Sequence, residues 1–178
     1  LAPWINDPDN VELVLDLCTG SGCLAVLAAL AYPNAQVDAV DLSDNALEVA
    51  DENIEQFGLD GRVTTHRSDL FEQMPRCEYD LIVCNPPYVN SHSMESLPAE
   101  YRHEPTMALA GGEDGMDIVR RILRSAPDFM APDGILVLEI GNEYENFLAA
   151  FPDLEPVWLS TENSDDQILL LTREQLAS

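Results

Sequence analysis

The residues best suited to chemistry in this sequence are Asn85-Pro86-Pro87-Tyr88. Each proline fixes its own φ and drives the residue before it out of the helical region, so Asn85 and Pro86 are both held extended. Pro86 and Pro87 lack an N–H, which leaves mainly acceptors: the Asn85 side-chain oxygen and the Pro86 carbonyl. Two acceptors at a fixed separation match the two hydrogens of a planar –NH₂ group. Tyr88 can stack on that plane, worth about 0.5–1.5 kcal/mol by analogy with aromatic pairs. An amide nitrogen is a poor nucleophile because its lone pair is delocalised. Accepting its hydrogens polarises it and stacking aims it, so the help is orientation and electrostatics. No general base is required if the proton leaves after the new bond has formed. The tetrapeptide alone does not separate a glutamine amide from an adenine amine, and Asn-Pro-Pro also makes a serviceable strand-ending turn.

A second constellation has the spacing of a nucleoside site. Asp16-Leu17-Cys18-Thr19-Gly20-Ser21-Gly22 follows an apolar run of strand length, and its glycines allow a tight turn and close approach of a ligand at a helix start. About 19 residues later Asp41, followed by Leu42, ends a second strand, where a carboxylate can accept both ribose hydroxyls. Gly20-Ser21-Gly22-Cys23-Leu24-Ala25 also fits the G-x-G-x-x-A dinucleotide pattern, so these residues alone leave a nicotinamide or flavin site open. Ser68-Asp69-Leu70 supplies a third carboxylate, able to accept an adenine amine or simply to cap a turn. Asp16, Asp41 and Asp69 together make a negative rim, which suits a cationic sulfonium better than a pyrophosphate and favours S-adenosylmethionine.

These residues need a frame that brings them to one edge. Apolar runs at Val11–Leu17, Gln36–Asp41, Arg62–His66, Tyr79–Cys84 and Ile135–Ile140 read as strands. Helical patterns at Ser21–Ala31, Asp44–Phe57, Met116–Phe129 and Glu145–Phe151 separate or follow them, with Ser43 as an N-cap, Gly58 as a stop and Asp133-Gly134 as a turn. Within Asp44–Phe57, Leu47, Ala50, Ile54 and Phe57 recur at core-facing spacing. Pro156–Ser160 and Gln167–Thr172 close the chain as a strand pair. The alternation predicts an α/β, doubly wound, mostly parallel sheet with an antiparallel edge. Val89–Asp114 is the one long irregular stretch, of a length usually given to function.

Acidic residues number 33 against 8 basic ones, every one of them arginine, for a net charge of −25. Spread acidity of this kind keeps a chain in solution and repels polyanions, so direct nucleic-acid binding is not expected. It fits a solvated surface, a saline habitat or a basic protein partner. Cys18, Cys23, Cys77 and Cys84 contain no C-x-x-C pair and read as free thiols in a reducing cytoplasm, with no metal site expected. No apolar run approaches the length of a membrane span, and no signal peptide is expected. The chain starts at Leu1 and runs at once into Pro3-Trp4, so a further piece is expected upstream. His66 reads as a strand residue, His92 as a loop residue, and Arg102, His103 and Glu104 as locks on the long loop. Glu139, late in its strand, either faces the crevice or is structural.

Together, Asp16 to Gly22, Asp41, Asp69 and Asn85 to Tyr88 resemble the class I methyltransferases that modify glutamine side chains, and the resemblance covers nearly the whole chain. It implies a Rossmann-like seven-stranded sheet over residues 1–178, S-adenosylmethionine as methyl donor with S-adenosylhomocysteine as product, and no metal. It places Cys18, Thr19, Gly20, Ser21, Gly22, Asp41, Leu42, Asp69 and Leu70 on the cofactor and Asn85 to Tyr88 on the substrate glutamine. Leu97–Pro105, Ala108–Gly115 and the tail from Trp158-Leu159 through Leu169–Arg173 resemble the branch acting on a large-subunit ribosomal protein, free or in a precursor particle. The sister branch acts on peptide chain release factors and usually has glycine where Cys18 stands. The N-terminal substrate-recruiting domain of the family and its Arg-Ser-Pro-like lid are not found in these residues. An adenine methyltransferase of DNA is the runner-up, opposed by the charge; a non-catalytic scaffold and a nicotinamide dehydrogenase rank lower.

Overall fold

The computed structural model describes residues 1–87, 112, 114–161 and 165–177. The strands are β1 (Leu13–Leu17), β2 (Gln36–Asp41), β3 (Val63–Arg67), β4 (Tyr79–Cys84), β5 (Met130–Glu139), β6 (Val157–Trp158) and β7 (Ile168–Thr172). The helices are α1 (Cys23–Ala31), α2 (Asp44–Gln56), α3 (Asp117–Ser125), α4 (Tyr144–Ala150) and α5 (Arg173–Ala177), with 3₁₀ turns at Pro8–Asn10 and Ala126–Asp128. One seven-stranded sheet runs in the order β3-β2-β1-β4-β5-β7-β6. The pairs from β3 through β5 are parallel, and β7 is antiparallel to both β5 and β6. The expected doubly wound sheet with an antiparallel edge is what forms. Strand order reverses between β1 and β4, and the crevice at such a reversal is where open α/β sheets bind ligands.

Period-two alternation feeds both faces. Leu15 and Leu17 of β1 join Val40, Ile82 and the α3 residues Val119 and Ile122 in one core. Val14 joins Val37, Ala39, and Ala25, Ala29, Ala50 and Ile54 of α1 and α2 in the other. Each of the larger aliphatic side chains contributes about 1.5–3 kcal/mol on burial. Helix α1 ends where Arg62 donates to the carbonyls of Ala29 (2.6 Å), Tyr32 (3.1 Å) and Pro33 (2.9 Å), so a cation satisfies a helix C-terminus. Helix α2 begins as expected, with Ser43 Oγ accepting from Ala46 N–H at 3.3 Å.

Several expectations are corrected. Phe57 does not face the core; it is 57% exposed. Helix α2 stops at Gln56, Gly58 takes φ +66, Gly58 N–H donates to the Glu55 carbonyl and Leu59 N–H to that of Ile54. That Schellman ending turns Phe57 outward and gives its core place to Leu59, which is buried. Helix α3 ends at Ser125, and Pro127, which has no N–H to continue it, sits in the following 3₁₀ turn. Asp133-Gly134 is not a turn between elements but part of β5, which starts at Met130. Register shifts between the Tyr79 and Leu81 pairings, and a Cβ at Gly134 would stand 2.7 Å from the Tyr79 carbonyl oxygen. The glycine lets β5 bulge against β4. Strand β6 is two residues rather than five, and α5 follows β7 without having been expected.

Candidate active site

The carboxyl ends of β1, β2 and β4 meet beside the strand-order reversal. Leu17 pairs with Val40 on one side and Cys84 on the other. The residues that follow these three, Cys18, Asp41 and Asn85, therefore stand together at the carboxyl edge of the sheet, Asp41 as the last residue of β2. The loop after β1 is tied down by its own polar atoms. Thr19 N–H donates to the Val40 carbonyl (2.9 Å), and Thr19 Oγ1 donates to Asp16 Oδ2 (2.5 Å). Asp41 holds two backbones at once: Oδ2 accepts from Gly20 N–H and Oδ1 from Ser43 N–H, both at 2.9 Å. Each carboxylate oxygen keeps a second lone pair for a ligand donor.

Two glycines of this loop serve different needs. Gly22, at φ +78, starts α1, and a Cβ there would lie 3.0 Å from Ala50 Cβ, so it lets α1 and α2 pack closely. Gly20, at φ +56, has nothing within 4 Å of a Cβ position, so its face of the loop is open to an approaching molecule. Cys18 adopts φ +58 without being glycine, and Leu70 after β3 adopts φ +53. Left-handed backbone at a non-glycine residue costs roughly 1–2 kcal/mol, and such strain collects at ligand sites. Nothing in residue type marked either position in advance, apart from the glycine that the sister branch usually carries at Cys18.

Asp16 is fully buried, and its Oδ1 has no hydrogen-bond partner. Burial pushes its carboxyl up to about 7, the Thr19 hydroxyl and the nearby Ala25 N–H oppose the rise, and the Asp41 charge adds to it. Burial also raises Cys84 well above the usual thiol range, helped by contact with Cys18 and by the charges of Asp16 and Asp41. It stays a neutral thiol near pH 7. All four cysteines are free.

Asp69 and Leu70 lie after β3 and line an open cavity of about 330 Å³ together with Phe71, Arg121 and Phe129. Ser68 shapes this turn, donating to the Leu70 carbonyl (2.7 Å) while accepting from Gln73 N–H (3.0 Å). Arg121 Nη2 meets Asp69 Oδ1 at 2.9 Å and Glu72 at 3.0 Å. Asp69 therefore comes with a cation already on one oxygen, a partner that the spacing of the sequence did not disclose. Leu42 is exposed beside Asp41.

Past β4, Asn85 is exposed, Pro86 buried and Pro87 half-buried. The structure thus carries Asn85 on an anchored proline, next to the loop that follows β1. Tyr88 lies outside the described residues, as do His92, Arg102, His103, Glu104 and nearly all of Val89–Asp114. Of the other polar candidates, His66 Nε2 is 2.7 Å from Asp38 Oδ1, and Asp38 Oδ2 accepts from the buried Tyr79 hydroxyl, also at 2.7 Å. That network ties β2, β3 and β4 together. Glu139 is half-buried at the end of β5. Among the described residues no group of His, Cys, Asp and Glu side chains could hold a metal ion, and no helix is long and apolar enough to cross a membrane.

At 66% identity over 99% of its length, the chain is similar to a Bordetella pertussis protein named ribosomal protein uL3 glutamine methyltransferase. A Burkholderia pseudomallei protein of the same name is 55% identical, again over 99% of the chain. The chain spans 59% and 60% of those two proteins' own lengths. In fold it is similar to the ribosomal protein L11 methylase of Lactobacillus delbrueckii subsp. bulgaricus, with a TM-score of 0.59 at 19% identity, covering 92% of this chain and 69% of that one. Residues 4–100, which contain the β1 loop, Asp41, Asp69 and Asn85, match the family model of the methyltransferase small domain. The chain belongs to the methyltransferase small domain family.

Proposed function

We propose that this chain transfers a methyl group from S-adenosylmethionine to the side-chain amide nitrogen of a glutamine in the large-subunit ribosomal protein uL3, releasing S-adenosylhomocysteine. The observation that carries this conclusion is the 66% identity, along 99% of the chain, to a protein named for that reaction. The donor set fits the methyl donor. A carboxylate at Asp41, the open face at Gly20 and the orphaned buried oxygen of Asp16 suit a cationic nucleoside, whereas the Asp41 carboxylate would repel a pyrophosphate. When bound, S-adenosylmethionine supplies an electrophilic methyl carbon on a cationic sulfur.

The chain's own residues do the rest. The Asn85 side-chain oxygen and the Pro86 carbonyl accept the two amide hydrogens of the glutamine and so fix the plane of its nitrogen. Pro86 is buried, which anchors the backbone carrying this grip. Tyr88 is assigned to stack on the amide. Asp16, Cys18, Thr19, Ser21, Gly22, Asp41, Leu42, Asp69 and Leu70 are assigned to the cofactor. A ribosomal protein is basic, and a net charge of −25 favours its approach while disfavouring DNA, the adenine-bearing rival. Such a substrate places the work in the cytoplasm.

The test is a labelled-methyl assay with uL3 and a release factor side by side. Label in uL3 alone is expected, and equal or greater labelling of the release factor would overturn the substrate assignment. Asn85→Ala should lower turnover by about a hundredfold or more, the scale of losing one oriented hydrogen-bonding group, with cofactor affinity changed only a few-fold. Near-normal turnover in that variant would remove Asn85 from the mechanism.

A further inference from the structure

Among the described residues, strand β3 is an outer strand of the sheet and pairs on one side only, with β2. Its register determines which backbone groups reach outward. Val37 N–H donates to the Arg62 carbonyl and Ser68 N–H to the Asp41 carbonyl, so the even-numbered residues spend their N–H and C=O groups on β2. Parallel pairing then turns the groups of residues 63, 65 and 67 away from it. Val63 N–H is used locally, donating to the Leu59 carbonyl at 2.9 Å. What remains is an outward row: the Val63 carbonyl, the Thr65 N–H and carbonyl, and the Arg67 N–H.

Alongside this row runs an open groove of about 440 Å³, lined by Asp51, Ile54 and Glu55 of α2, by Asp60, and by Val63 to Thr65 of β3. Ile54 and Val63 form an apolar floor, and the rim is acidic. Thr65 Oγ1 donates to Asp51 Oδ1 at 2.8 Å, which holds that carboxylate against the edge. Edge strands are ordinarily blunted by lysine, proline or a covering element. Residues 63 to 67 contain neither, and their one arginine, Arg67, is already paired with Asp44 at 3.0 Å.

We propose that the β3 edge is a docking strand for an extended basic peptide segment of another protein. The segment adds to the sheet beside β3 and sets lysine or arginine side chains against Asp51, Glu55 and Asp60. Its backbone bonds to the outward groups of residues 63, 65 and 67. Alternate side chains fall on the α2 side, where an apolar one meets the Ile54–Val63 floor and its basic neighbours meet the rim. Charge chooses this occupant over the others. A second copy pairing edge to edge would bring Asp51, Glu55 and Asp60 against their own duplicates, and a nucleic acid would meet the same carboxylates. The surface is separate from the Asn85 crevice, and the inference does not depend on which nitrogen is methylated.

The probe is a fluorescein-labelled heptapeptide of alternating lysine and valine, read by anisotropy at low salt against its glutamate–valine counterpart. The lysine peptide is expected to bind, to weaken as salt shortens the screening length, and to slow hydrogen exchange at the Thr65 and Arg67 amides; the glutamate peptide is expected not to bind. Thr65→Pro removes one outward N–H without touching the ladder to β2, and should weaken binding at least about tenfold. Glu55→Gln with Asp60→Asn leaves the backbone as it is and should weaken it by a similar factor. Unchanged affinity in both variants, equal binding of the glutamate peptide, or bound peptide without added protection at Thr65 would each overturn the proposal. So would sedimentation as a peptide-independent dimer that Thr65→Pro dissociates, because a second copy would then own the edge.

Discussion

Replacing Asp16 by Asn tests whether the buried carboxylate at the end of β1 costs the fold stability. Asp16 is fully buried with one oxygen unpartnered, and its carboxyl is pushed from 3.8 up to about 7, chiefly by burial. A pKa raised on folding means that the native state holds a proton more tightly than the unfolded chain. Stability is therefore unaffected by this group below about pH 4, falls as pH rises through the window up to about 7, and levels off above it. At about 1.36 kcal/mol per tenfold, the full cost is about 4 kcal/mol, of which roughly 2–3 kcal/mol accrues between pH 5 and pH 8. Asn cannot ionise, keeps an oxygen for the Thr19 hydroxyl and leaves one polar atom to be satisfied, so its own offset is independent of pH. Urea unfolding of both proteins at pH 5 and pH 8 gives the comparison, and the other carboxylates cancel in the difference. The variant should gain on the parent by roughly 2–3 kcal/mol over that interval. Parallel pH profiles would show that Asp16 is already ionised at no cost and that the burial argument is wrong.

Asp41→Ala should both weaken the cofactor, seen by calorimetry, and loosen the fold by about 1–3 kcal/mol, because Gly20 and Ser43 N–H lose their acceptor; an unchanged melting temperature would remove Asp41 from the loop's support. Gly134→Ala drives a Cβ to within 2.7 Å of the Tyr79 carbonyl oxygen and 3.0 Å of Ala131 backbone, and backbone cannot step aside. A loss of about 1–3 kcal/mol in denaturant unfolding is expected. Phe57→Ser should change stability by no more than about 0.5 kcal/mol, whereas Ile54→Ala, three residues earlier in the same apolar pattern, should cost about 2–5 kcal/mol.

What the sequence disclosed of the fold follows from which signals are local. Gln36–Asp41 and Tyr79–Cys84 carry their strand signal in their own side chains, and the structure returns both with the same bounds. Ser43 and Gly58 act within one helical turn, and both punctuate α2 as expected. The errors arise where a neighbour decides. Asp133-Gly134 is a good turn dipeptide, yet the Tyr79 carbonyl of the next strand occupies the space beside it and makes the glycine a bulge. Phe57 has the right spacing for a core residue, yet the Gly58 turn substitutes Leu59 for it. In α1 the apolar residues run all round, so periodicity could not say which would be covered; Leu27 and Leu30 are each 55% exposed while Ala25 and Ala29 are fully buried.

The candidate site rests on signals of the same local kind and is incomplete for the same reason. Asn85, Asp41 and the glycines could be read because their types restrict backbone or donate specific lone pairs wherever they stand, and the sheet brings Cys18, Asp41 and Asn85 to one edge through the Leu17, Val40 and Cys84 register. The left-handed backbone at Cys18 and Leu70 could not be read, since neither side chain favours it. Neither could the guanidinium that Arg121 lays on Asp69 from 52 residues away, since nothing in the spacing of a helix foretells which loop it will meet. Both unread features concern how far the loop residues are held in place rather than which residues they are. Residue types at a sheet edge therefore nominate a candidate chemistry, while the long-range contacts, invisible in a linear pattern, decide how rigidly those residues are held.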